Sequence, residues 1–161
     1  MIATITELRE IAARVTDPEI PVLTIADLGI LRDVELQEDT VVVTITPTYS
    51  GCPAMDAITE DLGTVFKASG FEKVRVNLVL SPAWSTDWMS DSGKAKLEAY
   101  GIAPPTGTGH RGPVTLGLGV KCPQCHSLNT KELSRFGSTS CKSMYQCKDC
   151  LEPFDYFKVL S

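Results

Sequence analysis

Five of the six cysteines fall between residues 122 and 150, and four of them form two identical units, Cys122-Pro-Gln-Cys125 and Cys147-Lys-Asp-Cys150. A C-x2-C pair turns tightly enough to aim two thiolates at one ion. Two such pairs, here separated by 21 residues, close a tetrahedron around it. A closed shell of four sulfurs leaves no position for water, so the expected ion is a structural Zn2+ held by Cys122, Cys125, Cys147 and Cys150. Two redox dithiols, or an iron site with the same four ligands, use the same spacing. The fifth cysteine, Cys141, is six residues from Cys147. It makes a poorer knuckle and reads as a small buried hydrophobe or a weakly reactive thiol. The region of about 118–161 is too short for an apolar core of its own and needs a metal to fold.

The sixth cysteine stands alone at Cys52, in Ser50-Gly51-Cys52-Pro53. Around it the pattern is that of a mixed domain. Thr4-Ile5-Thr6-Glu7 has capping-box spacing, and Ile5, Leu8, Ala12 and Val15 recur at helical intervals, so a helix is expected over 5–15. Asp17-Pro18 ends it. Residues 30–36 and 41–46 alternate as two strands of a hairpin. A loop follows to Cys52. Pro53 then opens a helix whose apolar face is Ile58, Leu62, Val65 and Phe66 and whose terminator is Gly70. Residues 74–80 form a third strand with Val74, Val76, Leu78 and Leu80 on one face. A last helix covers about 86–99, ended by Gly101. The order α-β-β-α-β-α predicts an α+β fold: a small three-stranded sheet packed with helices on one side, followed by a small zinc-ribbon-like β domain. Residues 104–117, rich in Gly and Pro, read as a linker between a domain at 1–103 and the cysteine module at 118–161.

Charge narrows the function classes. Residues 1–103 carry 8 Lys/Arg against 16 Asp/Glu, and residues 104–161 carry 7 against 4. Neither half has the basic excess of a nucleic-acid binder. No apolar run approaches the ~20 residues that span a bilayer. The first residues lack a signal-peptide pattern, so a cytoplasmic setting with reduced thiols is expected.

Cys52 admits two readings. Placed at a helix N-cap with Pro53 at the first helical position, an exposed thiol meets unpaired N–H groups and the positive end of the helix dipole. These lower its pKa and make it a nucleophile or a soft metal ligand. Alternatively it is a cysteine buried where a strand meets a helix. Asp17, Glu19 and Asp27 read either as turn and loop acids or as groups bordering Cys52. Trp84 and Trp88 are expected to pack in cores. His110 and His126 have no partner at ligand spacing.

The sequence Asp17-Pro18-Glu19-Ile20-Pro21, with Asp27-Leu28-Gly29, the Thr-x-x-x-Cys-Pro of Thr48 to Pro53, and Pro82-x-Trp84, resembles the MIP18-like family (domain of unknown function 59) over about residues 1–100. That family takes part in iron–sulfur protein maturation. The run from Phe136 to Lys158 (FGSTSCKSMYQCKDCLEPFDYFK), joined to this domain, resembles the D-subunit family of phenylacetate-degradation systems. The resemblance implies a non-catalytic accessory role beside a multicomponent phenylacetyl-CoA epoxidase, with a diiron oxygenase and an iron–sulfur flavoprotein reductase as partners. It places Cys52 as the ligand for iron or an iron–sulfur cluster held transiently, with Asp17, Glu19 and Thr48 around it. The family often has Thr-Pro where this chain has Tyr49-Ser50. One thiolate cannot complete a cluster's coordination, so a client or a second copy in a homodimer is expected to supply the rest. The competing classes are a structural adaptor working through the ribbon and a thiol enzyme with Cys52 as nucleophile, for which no base is evident.

Overall fold

In the computed structural model, Thr4 caps the first helix, α1 (Ile5–Ala12), as its spacing predicts: its hydroxyl accepts the Glu7 N–H, and the Glu7 carboxylate accepts the Thr4 N–H at 2.7 Å. The structure describes residues 3–49, 52–105, 120–139 and 141–158. The chain divides into two compact units, Met1–Trp84 and Ser85–Ser161.

In the first unit, α1 buries Leu8, Ile11 and Ala12 and stops three residues short of the expected end. Val15 leaves the helix because its carbonyl accepts the Ile25 N–H, and Thr16 bridges to Thr24. A short helix that the sequence pattern did not announce, α2 (Ile25–Leu28), follows. Thr24 and Asp27 form its capping box, and Gly29, at φ 78°, ends it in the left-handed region that glycine enters without steric cost. Asp27 is therefore a capping residue.

Strands β1 (Leu31–Gln37) and β2 (Thr40–Ile45) pair antiparallel, with Val34 opposite Val43. Helix α3 (Ala54–Ala68) then crosses over to β3 (Lys73–Leu78), which pairs parallel with β2, Val43 opposite Val76. The sheet order is β1-β2-β3. Helices α1 and α3 pack on each other, α1 against β1 and α3 against β3. The core between them is Leu8, Ile58, Leu62, Phe66, Val34, Val41, Val43 and Ile45, all fully buried. The apolar face expected on the third strand fades along its length. Val74 and Val76 are half-buried, but Leu78 and Leu80 are 52% and 60% exposed. Trp84 is buried and its indole N–H donates to the Leu28 carbonyl at 2.8 Å.

The second unit begins with a single 3-10 turn (Thr86–Trp88), in which Trp88 is half-buried, and α4 (Asp91–Tyr100), capped by Ser90 and ended by Gly101 at φ 91°. Strand β4 (Ile102–Ala103) pairs parallel with β7 (Pro153–Phe157). Strand β7 runs antiparallel to β6 (Lys142–Cys147), and β6 to β5 (Thr130–Ser134), in the order β4-β7-β6-β5. Its core joins Ala103, Val120, Cys122, Cys147, Phe154 and Tyr156. Tyr145 stacks on Phe154 at 5.9 Å and meets Tyr156 edge-on at 5.4 Å. Of the expected linker, residues 106–117 lie outside the described residues, and so does His110. The fold class is the one expected: a three-stranded mixed sheet with helices, then a small β module carrying the four cysteines. Among the described residues no helix is long and apolar enough to cross a membrane.

Candidate metal centres

The two C-x2-C units meet. Cys122, Cys125, Cys147 and Cys150 place their sulfurs within 4.8 Å of one another, with Cys122 Sγ 3.7 Å from Cys150 Sγ and Cys125 Sγ 3.5 Å from Cys147 Sγ. A tetrahedron with Zn–S bonds of ~2.3 Å has sulfur–sulfur edges of ~3.8 Å. The donor set and its dimensions fit Zn2+.

Local backbone makes this geometry. The Cys122 N–H donates to the Ser127 carbonyl at 2.9 Å and the Cys147 N–H to the Glu152 carbonyl at 3.0 Å, so both units close by the same five-residue step. The residue after each second cysteine, His126 and Leu151, sits at φ 65°, a left-handed turn that ordinary residues resist. Amides point inward: Gln124 N–H approaches Cys122 Sγ at 3.4 Å and Cys150 N–H approaches Cys147 Sγ at 3.5 Å. The Cys150 and Asp149 amides help hold the Cys147 thiol down at about 7. On Cys150 the Glu152 N–H also acts downward, but burial and three neighbouring sulfurs outweigh it and push the thiol up to about 12. Four thiols this close ionise together only around a cation.

Residues with no signal in the sequence pattern tie the two knuckles to each other. The Asp149 carboxylate accepts the Ser127 hydroxyl and, at 3.0 Å, the Asn129 amide, which hold its pKa below the usual range. The Lys148 N–H donates to the Asn129 carbonyl at 2.8 Å. Cys141 stands outside the cluster, buried, its sulfur 2.9 Å from the Thr139 hydroxyl. His126 is no ligand of the cluster; its Nδ1 faces Glu98 Oε1 at 3.4 Å.

Cys52 lies at the junction of β2 and α3, where the structure bears out the buried reading and corrects one expectation. Cys52 is 8% accessible. The N-cap position belongs to Pro53, with the helix starting at Ala54, so Cys52 precedes the cap by one residue. Burial pushes the Cys52 thiol above its ordinary value of 9.0. The Ala54 N–H and the Thr48 and Tyr49 side chains act against this, and the nearby Glu19 carboxylate adds to it. At this depth the desolvation cost of a thiolate exceeds what the helix end returns.

The residues expected around Cys52 divide. The Thr48 hydroxyl approaches Cys52 Sγ at 4.0 Å. Glu19 is half-buried and close enough to act on the thiol by its charge. Asp17 serves the turn at residues 17–20. Its Oδ1 accepts the Glu19 N–H at 2.7 Å and the Ile20 N–H at 3.0 Å. Tyr49, noted in the sequence only as a departure from the family pattern, contributes a side-chain hydrogen bond to the thiol. Thr46, two residues upstream of Thr48, is buried with its hydroxyl unpartnered among the described residues. The Thr-x-Thr repeat is the only signal that could have drawn attention to it.

Comparison with known proteins accounts for both units. Residues 6–83 match the iron–sulfur cluster assembly protein family, and residues 109–158 match the PaaD zinc beta ribbon domain. Over 154 residues, 96% of this chain and 92% of the relative, the sequence is 46% identical to the D component of the "Putative 1,2-phenylacetyl-CoA epoxidase" of Escherichia coli K12. The chain belongs to the PaaD family. The first part of this PaaD-family chain is also 40% identical to an "Fe-S protein maturation auxiliary factor" of Porphyromonas gingivalis, over 52% of the chain and 80% of that protein. The crystal structure of a domain of unknown function 59 from Bacillus anthracis superposes with a TM-score of 0.54 at 33% identity, covering 58% of this chain and 90% of that one.

Proposed function

We propose that this PaaD-family chain is a non-catalytic accessory factor of a multicomponent phenylacetyl-CoA epoxidase. It takes up iron or an iron–sulfur cluster transiently at Cys52 and passes it to the diiron oxygenase or the iron–sulfur flavoprotein reductase. Zn2+ at Cys122, Cys125, Cys147 and Cys150 keeps the second unit folded. The observation that carries the reading is a solitary thiol, bordered by Glu19, Thr48 and Tyr49, in a domain whose relatives include a named Fe–S maturation factor. One thiolate and one nearby carboxylate leave a bound iron with positions for a client, or a second copy of this chain, to fill. Incomplete ligation favours transfer over storage. Metal uptake displaces the thiol proton, so it strengthens as pH rises.

The test is anaerobic reconstitution of the zinc-loaded protein with ferrous iron and sulfide. The wild type is expected to gain a visible chromophore that Cys52→Ala lacks. Equal chromophores in the two would remove Cys52 from the mechanism. The burial of Cys52 favours one second reading, a structural adaptor within the oxygenase complex. On that reading Cys52→Ala leaves the activity of the complex intact while Cys122→Ala abolishes it.

A further inference from the structure

Strand β3 carries its apolar pattern past the edge of the core. In the parallel register of β2 and β3, Leu78 lies opposite Ile45. Paired residues of neighbouring strands share a face, yet Ile45 is 0% accessible and Leu78 is 52%. Leu80, two residues on, is 60% accessible. The Val79 N–H donates to the Ile45 carbonyl at 2.9 Å, so the ladder to β2 continues one residue past the strand. Val79 thus turns its amide inward, and the N–H and C=O of Leu78 turn to the outer edge. Among the described residues no strand pairs with that edge.

Charge ordinarily guards such an edge. The first half of β3 has it: Lys73 pairs with Asp39 at 2.5 Å, and Arg75 donates to Gln37 at 3.0 Å. Residues 76–82, Val-Asn-Leu-Val-Leu-Ser-Pro, carry none. A free backbone edge beside exposed leucines accepts an extended strand, and this uncharged run fits a second copy of itself. Paired antiparallel about a two-fold axis at Val79, Leu78 of each copy meets Leu80 of the other. Lys73 and Arg75 then fall outside the shared run, so no like charges oppose. The place of the edge bears on Cys52. Helix α3 joins two parallel strands and packs against β3, so it runs antiparallel to β3. Its first turn, with Cys52 two residues before Ala54, stands over the C-terminal end of β3. A two-fold axis there turns the Cys52 ends of both copies toward each other.

We propose that two copies of this chain pair through residues 76–82 and share the metal between their Cys52 thiolates. The proposal rests on the reading of Cys52 as the metal ligand and names the surface that completes its site, since one thiolate leaves coordination open. Four half-exposed leucines cover a few hundred Å2, short of the ~1,200 Å2 of a stable specific interface. The edge alone therefore does not hold the pair, and the shared metal supplies the remainder. The chain is monomeric when Cys52 is empty and dimeric when it is loaded.

The test loads the full zinc-bound chain anaerobically with ferrous iron and sulfide and follows its mass by sedimentation, with hydrogen–deuterium exchange alongside. On loading, the wild type is expected to double in mass with one chromophore per two chains. Exchange in peptides covering 76–82 is expected to slow roughly tenfold or more. The double variant Leu78→Lys, Leu80→Lys sets like charges opposite each other and is expected to stay monomeric and lose most of the chromophore. Dimerisation of that variant to the wild-type extent overturns the proposal. So does doubling of the wild-type mass with exchange at 76–82 unchanged, a result that needs no variant to fold. Cys52→Ala keeps the two readings apart. A chromophore there equal to the wild type is the failure of the Cys52 reading, whereas a wild-type chromophore carried on a monomer is the failure of this surface alone.

Discussion

Asp17 separates a structural from a metal-binding reading of the acids near Cys52, and its geometry sets a magnitude. The carboxylate is 6% accessible, and its Oδ1 accepts two backbone N–H groups, those of Glu19 at 2.7 Å and Ile20 at 3.0 Å. The Asp17 N–H itself donates to the Leu23 carbonyl at 2.9 Å, and Leu23 N–H donates to the Ile20 carbonyl at 3.0 Å. The turn thereby drives Ile20 and Leu23, 1% and 0% accessible, into the core. Asp17→Ala removes the acceptor and strands two donors. At ~1–3 kcal/mol per unsatisfied group, the two cost about 2–6 kcal/mol, toward the lower end because the Glu19 N–H is only part-buried, a large share of the ~5–15 kcal/mol of a whole domain. Asp17→Asn keeps a neutral acceptor oxygen and should cost about 1 kcal/mol. Urea unfolding followed by tryptophan fluorescence measures both. A Trp88→Phe background lets buried Trp84 report on the first unit alone. A loss under about 0.5 kcal/mol in Asp17→Ala, the range of a surface substitution, would refute the clamp. Asp17→Asn with wild-type stability but no iron uptake would show that the carboxylate acts on metal instead.

Two further outcomes follow from the same geometry. At Gly137, in the turn between β5 and β6, a Cβ would stand 2.7 Å from Asp155 Oδ1 and 3.4 Å from the Lys142 carbonyl. Gly137→Ala should therefore lower the stability of the zinc-loaded second unit by about 1–3 kcal/mol, and an unchanged melting temperature would contradict the fit. For Cys52, the folded thiol pKa lies above 9.0, so between the unfolded and folded values the native state holds a proton that the unfolded chain has lost. This group leaves stability unchanged below that window and lowers it as pH rises through it. Alkylation of the native thiol should titrate with a midpoint above 9.0, and a midpoint below the ordinary thiol range would indicate a helix-stabilised thiolate.

Much of this arrangement can be read from the residues. The C-x2-C repeats announce their own geometry, because two residues between cysteines permit little except a knuckle. Thr4 with Glu7, and the alternation of 30–36 and 41–46, are local signals obeyed locally. The misses share a cause, which is dependence on distant chain. Nothing near Cys52 in sequence says whether the junction is covered, so local signals leave an exposed thiol with a lowered pKa and a buried one both open. Leu78 and Leu80 continue an apolar alternation, yet β3 is an edge strand and those positions are exposed. Strand β4 is two residues long and pairs with a strand about fifty residues later, which no periodicity can show. Left-handed His126 and Leu151 carry no signal either, since the turn is imposed by closure of the cluster rather than by a glycine. The resemblance to a known family supplies what spacing cannot: a reason to propose Cys52 as the metal ligand.

The proposed function is that this chain loads metal into epoxidase components through Cys52. The direct measurement is the iron content of the purified diiron oxygenase and the reductase after co-expression with the wild-type chain, with Cys52→Ala, and with neither. Full iron is expected in one or both components only with the wild type, and a deficit of similar size in the other two cases. Equal iron in all three, with activity lost only when the chain is absent, would contradict it and leave the chain a scaffold.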